Sequence, residues 1–123
     1  MDGPEVRVDG MNEILSDFEV IKLQLDNPVN TIISCYTLLE RAVSILPQEL
    51  NSKGRPLLKA TIRNAAINNG IEKAKIEKEF KYILMMRGMV VHQNNYDPTV
   101  KDAKGYINSV QKILNYIHPK SEE

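Results

Sequence analysis

Apolar residues recur at intervals of three and four along nearly the whole chain, and this spacing is typical of helices with one buried face. Stretches in which apolar and polar residues alternate between turn-forming residues, the pattern of strands, are absent from the sequence. The connections between the apolar stretches are mostly short. We therefore expect an all-α fold, a four- to five-helix up-and-down bundle.

Turn-forming and helix-capping residues divide the chain into five predicted helices. Asn27 is a suitable N-cap, and Pro28 follows it at the first helical position. Asp97 and Pro98 repeat this signal before the last helix, and Gly70 is a suitable stop after the third. The predicted helices cover about 9–25, 28–47, 56–69, 71–91 and 98–117. Pro47 ends the second of them. The clearest apolar stripe lies in the last helix and consists of Val100, Ala103, Ile107, Val110, Leu114 and Ile117.

The length of 123 residues fits a single domain with its own core. We expect that domain over 9–118, with a flexible arm over 1–8 and a flexible tail over 119–123. The formal net charge is zero, so the global charge gives no affinity for nucleic acid. Binding to nucleic acid then requires a local site with positive charge.

Cys35 is the only cysteine, and it lies within an apolar stretch. We expect it to be a buried core residue, because the sequence has no Cys/His cluster with the spacing of a zinc site. No metal and no cofactor is therefore predicted. There is no apolar stretch of about 18 residues to span a membrane and no signal peptide, so we expect a cytoplasmic protein.

Arg87 interrupts the apolar face of the predicted fourth helix. At 100° per residue, that face has Arg87 in its middle and consists otherwise of Ile76, Phe80, Ile83, Val90 and Val91. An unpaired buried charge costs several kcal/mol. Three arrangements avoid this cost: the side chain reaches solvent, a carboxylate pairs with it, or the face lines a cleft that receives an anion.

Tyr82, Met85 and Met89 form a second apolar side on the same helix. A helix with apolar residues on two sides is normally covered on both. The cover is either a neighbouring helix of the same chain or a second subunit, and methionine suits both roles. These three residues are therefore a candidate interface.

His92 follows Arg87 by five positions, and an ideal helix points the two side chains about 140° apart. They meet at one phosphate only if the helix ends or bends near Val91, or if a second copy of the chain completes the site. Histidine transfers protons near neutral pH, and arginine binds phosphate oxygens. RNA supplies its own nucleophile, the 2′-hydroxyl, so such a pair can serve RNA cleavage without a metal.

The segment Arg87-Gly88-Met89-Val90-Val91-His92 resembles the R-x4-H motif of the HEPN superfamily. A polar loop over 93–96, the Asp97-Pro98 pair and a last helix follow it, in the order of that superfamily's C-terminal half. Upstream, 27–42 resembles the long helix of a bacterial HEPN-like subgroup, with a small polar start, an aromatic residue and a Leu-Glu pair. The resemblance covers about 27–117.

This resemblance implies a dimer in which two R-x4-H motifs meet in one cleft. Active members of the superfamily cleave single-stranded RNA without metal, and the expected products carry 2′,3′-cyclic phosphate ends. Arg87 would hold the phosphate, and His92 would serve in proton transfer or phosphate positioning. Glu40 is the expected carboxylate partner of Arg87. Asn94 and Asn95 of the polar loop are expected to support the site.

Gly88 departs from the superfamily pattern, since active members commonly have a polar residue after the arginine. It either supports the site by permitting a local bend that brings Arg87 and His92 together, or marks decay of the site. Three hypotheses stay open on the sequence. The first is a dimeric HEPN ribonuclease of a defence or toxin–antitoxin system, with an antitoxin or regulatory protein as a further partner. The second is a catalytically inert HEPN-like dimer that binds a nucleotide or a protein. The third is an unrelated helical bundle in which Arg87 is ion-paired.

Overall fold

The structure, a computed structural model, describes residues 8–92 and 96–118. Within these ranges it has five helices and no strand, which confirms the predicted all-α bundle. The helices are α1 (Val8–Lys22), α2 (Pro28–Ser44), α3 (Leu58–Asn68), α4 (Lys73–His92) and α5 (Val100–Ile117). None of these five helices is long and apolar enough to cross a membrane.

Some predicted segments fall outside the described ranges. Of the predicted arm 1–8, only Val8 is described, and it is the first residue of α1. The predicted tail 119–123 lies outside the described residues, and so do Asn94 and Asn95 of the predicted polar loop.

α2 and α5 form the centre of the bundle. α2 packs against all four other helices, and α5 packs against α2, α3 and α4. All five helices contribute to one apolar core, in which Cys35 is fully buried as predicted. The largest fully buried side chains include Tyr106, Phe18, Phe80, Met11, Ile14 and Ile32. Full burial stabilises the fold by about 1.5–3 kcal/mol for each large apolar side chain.

The predicted start of α2 is confirmed. Asn27 is the N-cap, its side-chain oxygen accepts a hydrogen bond from the backbone N–H of Asn30 at 3.1 Å, and Pro28 is the first helical residue. The helix ends at Ser44, before the predicted end at Pro47. A residue that precedes a proline avoids helical backbone angles, so the helix cannot continue up to Pro47. The last turn is tighter than an α-helix, because its N–H groups bond to carbonyls three residues earlier.

Gly70 ends α3 as predicted. Its backbone φ of +86° lies in the left-handed region, where glycine has no steric penalty. The N–H of Gly70 bonds to the carbonyl of Ile67 at 2.9 Å, and the N–H of Ile71 bonds to the carbonyl of Ala66 at 3.1 Å. This pair of hydrogen bonds is a Schellman motif, which satisfies carbonyls that the helix end leaves without partners.

The predicted start of α5 is wrong. Thr99, and not Asp97, is the N-cap: its side chain accepts a hydrogen bond from the N–H of Asp102 at 3.1 Å. In return, the Asp102 carboxylate accepts one from the N–H of Thr99 at 2.9 Å. This reciprocal capping box satisfies two N–H groups, whereas a single cap satisfies one. Pro98 therefore lies before the helix.

The buried face of α5 is broader than the predicted stripe. Val100 is 44% exposed and Ile107 is only half-buried, whereas Tyr106 and Ile113 are fully buried. α5 packs against three other helices, so its buried surface extends beyond a single line of residues.

Candidate functional site

Arg87 and His92 both lie in α4, which continues without interruption to His92. Gly88 between them has an ordinary helical conformation. The helix thus neither ends before His92 nor bends at Gly88 to bring the two side chains together. An unbroken helix keeps them about 140° apart, so a single chain does not turn them toward a common point.

The Arg87 side chain is half-buried against α2. Its guanidinium carbon lies 4.4 Å from the centre of the Tyr36 ring, which is a cation–π contact. Among the described residues, no ion pair joins Arg87 to Glu40, whose side chain is exposed. The neighbour of the guanidinium is thus an aromatic ring, and no carboxylate of the described residues neutralises its charge.

The buried face of α4 is rotated relative to the prediction. Val91, which the prediction places inside, is 45% exposed, and Met86 is 4% exposed. Of the remaining predicted positions, Ile76, Phe80 and Ile83 are fully buried, and Val90 is half-buried. α4 packs against both α2 and α5, which moves the centre of its buried face toward Met86. Arg87 therefore lies off the centre of that face, and its side chain is half-buried.

His92 is the last residue of α4, and its side chain is exposed. Asn94 and Asn95, the predicted supporting residues, follow it outside the described ranges. The described chain begins again at Tyr96, whose hydroxyl donates a hydrogen bond to the Asp102 carboxylate at 3.1 Å. This bond attaches Tyr96 to the first turn of α5.

Tyr106 on α5 is a further residue near Arg87, and the sequence pattern does not single it out as a site residue. It is fully buried, and within the described part of the chain its hydroxyl has no hydrogen-bond partner. Burial raises the pKa of Tyr106, and the nearby Cys35 and Tyr36 raise it further. The positive charge of Arg87 acts in the opposite direction on this pKa. Helical periodicity gives no signal for such a hydroxyl, because it treats tyrosine as one more apolar residue.

The three predicted interface residues have different surroundings. Tyr82 packs on α5 of the same chain, with its ring centre 6.3 Å from that of Tyr106 and its hydroxyl beside Gly105. Met89 is half-buried against the core, whereas Met85 is 51% exposed. A neighbouring helix therefore covers Tyr82, and Met85 is the member of the three that is open to a partner.

An exposed apolar surface surrounds Gly88 on the outer side of α4. Leu84, Met85 and Val91 are 38%, 51% and 45% exposed, and they lie within about 60° of Gly88 around the helix axis. A Cβ atom at Gly88 would meet no heavy atom within 4 Å apart from its chain neighbours and the nearby backbone of α4, so another helix can approach the backbone closely there. His92 lies on the same side. We call these five residues the Gly88 surface.

Comparison with known proteins adds no relative. No protein-family model matches the chain, and no curated protein or solved structure is significantly similar to it. Within the described ranges there is also no group of three or more His, Cys, Asp or Glu side chains that could hold a metal ion. The HEPN resemblance rests on the residues of the R-x4-H segment and its surroundings.

Proposed function

We propose that this chain is a metal-independent endoribonuclease of the HEPN type, which cleaves single-stranded RNA in a cleft formed by two copies. The observation that carries this proposal is the environment of Arg87. Its guanidinium lies on the Tyr36 ring and has no carboxylate partner among the described residues. An arginine whose guanidinium rests with one face on an aromatic ring keeps its positive charge, and its N–H groups stay available to bind a phosphate.

The reaction uses only the RNA and the two side chains. His92 accepts the proton of the 2′-hydroxyl, and the 2′-oxygen attacks the adjacent phosphorus. The bond from phosphorus to the 2′-oxygen forms as the bond to the 5′-oxygen breaks, and the leaving oxygen takes the proton that His92 now carries. Arg87 stabilises the negative charge that develops on the phosphoryl oxygens. The products are a 2′,3′-cyclic phosphate and a 5′-hydroxyl end, and no water is consumed.

The second copy is needed because one straight helix holds Arg87 and His92 about 140° apart. The Gly88 surface supports such an assembly, since a contiguous exposed apolar patch often marks a site of association. A two-fold axis close to Gly88 would place the same surface on both sides of the interface. The Arg87 of one copy would then approach the His92 of the other.

A catalytically inert HEPN-like dimer that binds a nucleotide or a protein is the second candidate. Gly88 favours it, because a glycine after the arginine offers no side-chain donor to a substrate. A cytoplasmic location, a place in a defence or toxin–antitoxin system, and an antitoxin or regulatory partner fit either candidate and are part of the proposal.

The deciding experiment incubates unstructured RNA with the purified protein in excess chelator, beside His92→Ala and Arg87→Ala. The control variant is Arg55→Ala, which removes an exposed arginine from the loop between α2 and α3. We expect 2′,3′-cyclic phosphate ends from wild type and control, and a loss of rate of about 10²- to 10⁴-fold in the two site variants. Circular dichroism checks that all variants fold. A wild type that cleaves no RNA at high enzyme concentration contradicts the ribonuclease proposal. The inert dimer that binds a nucleotide or a protein is then the remaining candidate.

A further inference from the structure

A pocket of about 320 Å³ adjoins Tyr36, between the C-terminal half of α2 and the start of α3. Its volume falls within the range of about 300–1,000 Å³ that is usual for small-molecule sites. Val43 and Leu58 provide apolar sides, and Tyr36, which also carries the Arg87 guanidinium, forms part of the lining. The pocket therefore neighbours the place where Arg87 would bind a phosphate.

A nucleobase is the chemical group that fits this combination of an aromatic side chain and a nearby phosphate site. The bases of single-stranded RNA are free to leave the strand and stack on aromatic side chains. A base is joined to its neighbouring phosphate through one ribose only. A pocket that shares Tyr36 with Arg87 is thus positioned to receive the base next to the bound phosphate.

Three polar side chains of the pocket, Glu40, Ser44 and Gln48, offer acceptors of hydrogen bonds. An ionised carboxylate such as that of Glu40 only accepts. Gln48 donates one N–H of its Nε2 to the carbonyl of Val43 at 3.2 Å, which leaves its Oε1 to accept and its second N–H to donate. The Ser44 hydroxyl donates to the carbonyl of Arg41 at 2.6 Å, so its lone pairs are also left to accept. A ligand that matches this lining must offer donors.

Guanine is the RNA base with two adjacent donors, N1–H and the N2 amino group, on its Watson–Crick edge. A carboxylate binds two adjacent N–H groups with its two oxygens, as it does with the arginine fork. Adenine, cytosine and uracil each place an acceptor next to their donor, and that acceptor would face the negative charge of Glu40. The lining therefore discriminates in favour of guanine.

We propose that this pocket is a guanine subsite, in which Tyr36 stacks on the base and Glu40 reads its Watson–Crick edge, so that RNA is cleaved next to guanosine. The place of the pocket in catalysis rests on the proposed ribonuclease function. Base recognition also gives Glu40 a role that does not require the predicted pairing with Arg87.

The first test measures binding of guanosine, inosine and adenosine monophosphate by calorimetry. Guanosine monophosphate should bind about tenfold more tightly than adenosine monophosphate, with inosine monophosphate, which lacks the N2 amino group, in between. Glu40→Gln should remove this difference. The control Glu13→Gln, at an exposed position of α1 outside the pocket, should keep it. Equal binding by the wild type, or selectivity that survives in Glu40→Gln, overturns the proposal.

The second test compares cleavage of two unstructured RNAs that differ in one position, guanosine or adenosine. Cleavage at that position should be about tenfold faster with guanosine, and Glu40→Gln should abolish the difference. The two proposals fail separately. Selective binding that depends on Glu40 without any cleavage supports the subsite and contradicts the ribonuclease. Cleavage at equal rates together with unselective binding supports the ribonuclease and overturns the subsite.

Discussion

The guanidinium carbon of Arg87 lies 4.4 Å from the centre of the Tyr36 ring, and this contact joins α4 to α2 at the candidate site. A ring face attracts a cation without forming hydrogen bonds to it, so the N–H groups of the guanidinium stay available. A carboxylate in the same place would occupy those groups and cancel the charge. The contact therefore holds the arginine and preserves its capacity to bind an anion.

A double-mutant cycle measures this contact. Tyr36→Leu and Arg87→Met each remove one partner and retain an apolar side chain, and we expect a coupling free energy of about 0.5–2 kcal/mol from urea unfolding. Tyr36→Phe is the control, since it keeps the ring and should preserve the coupling to Arg87→Met. A coupling near zero would mean that the two side chains are neighbours without attraction.

The sequence predicts the helical fold well and the environment of Arg87 poorly, for physical reasons. Caps such as Asn27 and the stop at Gly70 act within a few residues, so their signals are local and readable. Glu40 and Tyr36 lie one turn apart on α2, and the rotation of α4 against α2 decides which of them Arg87 meets. That rotation depends on the packing of α4 against three helices at once, which a single helix pattern does not contain.

The two glycines within helices α4 and α5 should respond differently to alanine. A Cβ at Gly88 meets no atom within 4 Å, so Gly88→Ala should stabilise the folded chain by up to about 1 kcal/mol through helix propensity. A Cβ at Gly105 would lie 2.8 Å from the Tyr82 hydroxyl, so the Tyr82 ring must move. The stability that Gly105→Ala adds should therefore be smaller, or the substitution should destabilise the chain. In a Tyr82→Phe background the hydroxyl is absent, so Gly105→Ala should again stabilise the folded chain. Thermal unfolding measures this difference in stability. Equal effects of the two alanines in the wild-type background would contradict this explanation.

The thiol of Cys35 should be inert in the folded protein. Cys35 is fully buried, and burial raises its pKa to about 12. The reactive thiolate is therefore scarce at pH 8, and reagents reach it only when the core opens. We expect a disulfide reagent to modify the native protein many times more slowly than the urea-unfolded protein. Fast modification under native conditions would show that the core around Cys35 opens readily.

Acid should destabilise the chain partly through Asp102. The hydrogen bond from the Thr99 backbone holds the pKa of this carboxyl below its usual range, with further bonds from Tyr96 and the Thr99 hydroxyl. A pKa that is lower in the folded state contributes stability above the unfolded pKa, and this is lost as the pH falls through the folded value. Asp102→Asn should therefore lose less stability between pH 7 and pH 2 than the wild type does.

The control for this experiment is Asp26→Asn, which removes an exposed carboxylate outside any helix cap. Some acid sensitivity should survive in Asp102→Asn, because Lys59 and Arg63 lower the pKa of Glu77 in the same way. Urea unfolding at several pH values gives the comparison. An unchanged acid dependence in Asp102→Asn would contradict the role of the capping box.

The Gly88 surface should form a dimer interface, and two matched substitutions test it. Met85 on α4 and Val20 on α1 are 51% and 54% exposed, so a glutamate at either position should leave the single chain folded. At an interface near a two-fold axis, Met85→Glu buries a charge from each copy, which costs several kcal/mol and should yield monomers in light scattering. Val20→Glu should remain dimeric. Because the proposed site takes Arg87 from one copy and His92 from the other, RNA cleavage should disappear together with the dimer. A wild type that is monomeric at high concentration, or a monomeric Met85→Glu that retains full cleavage, would contradict a shared site.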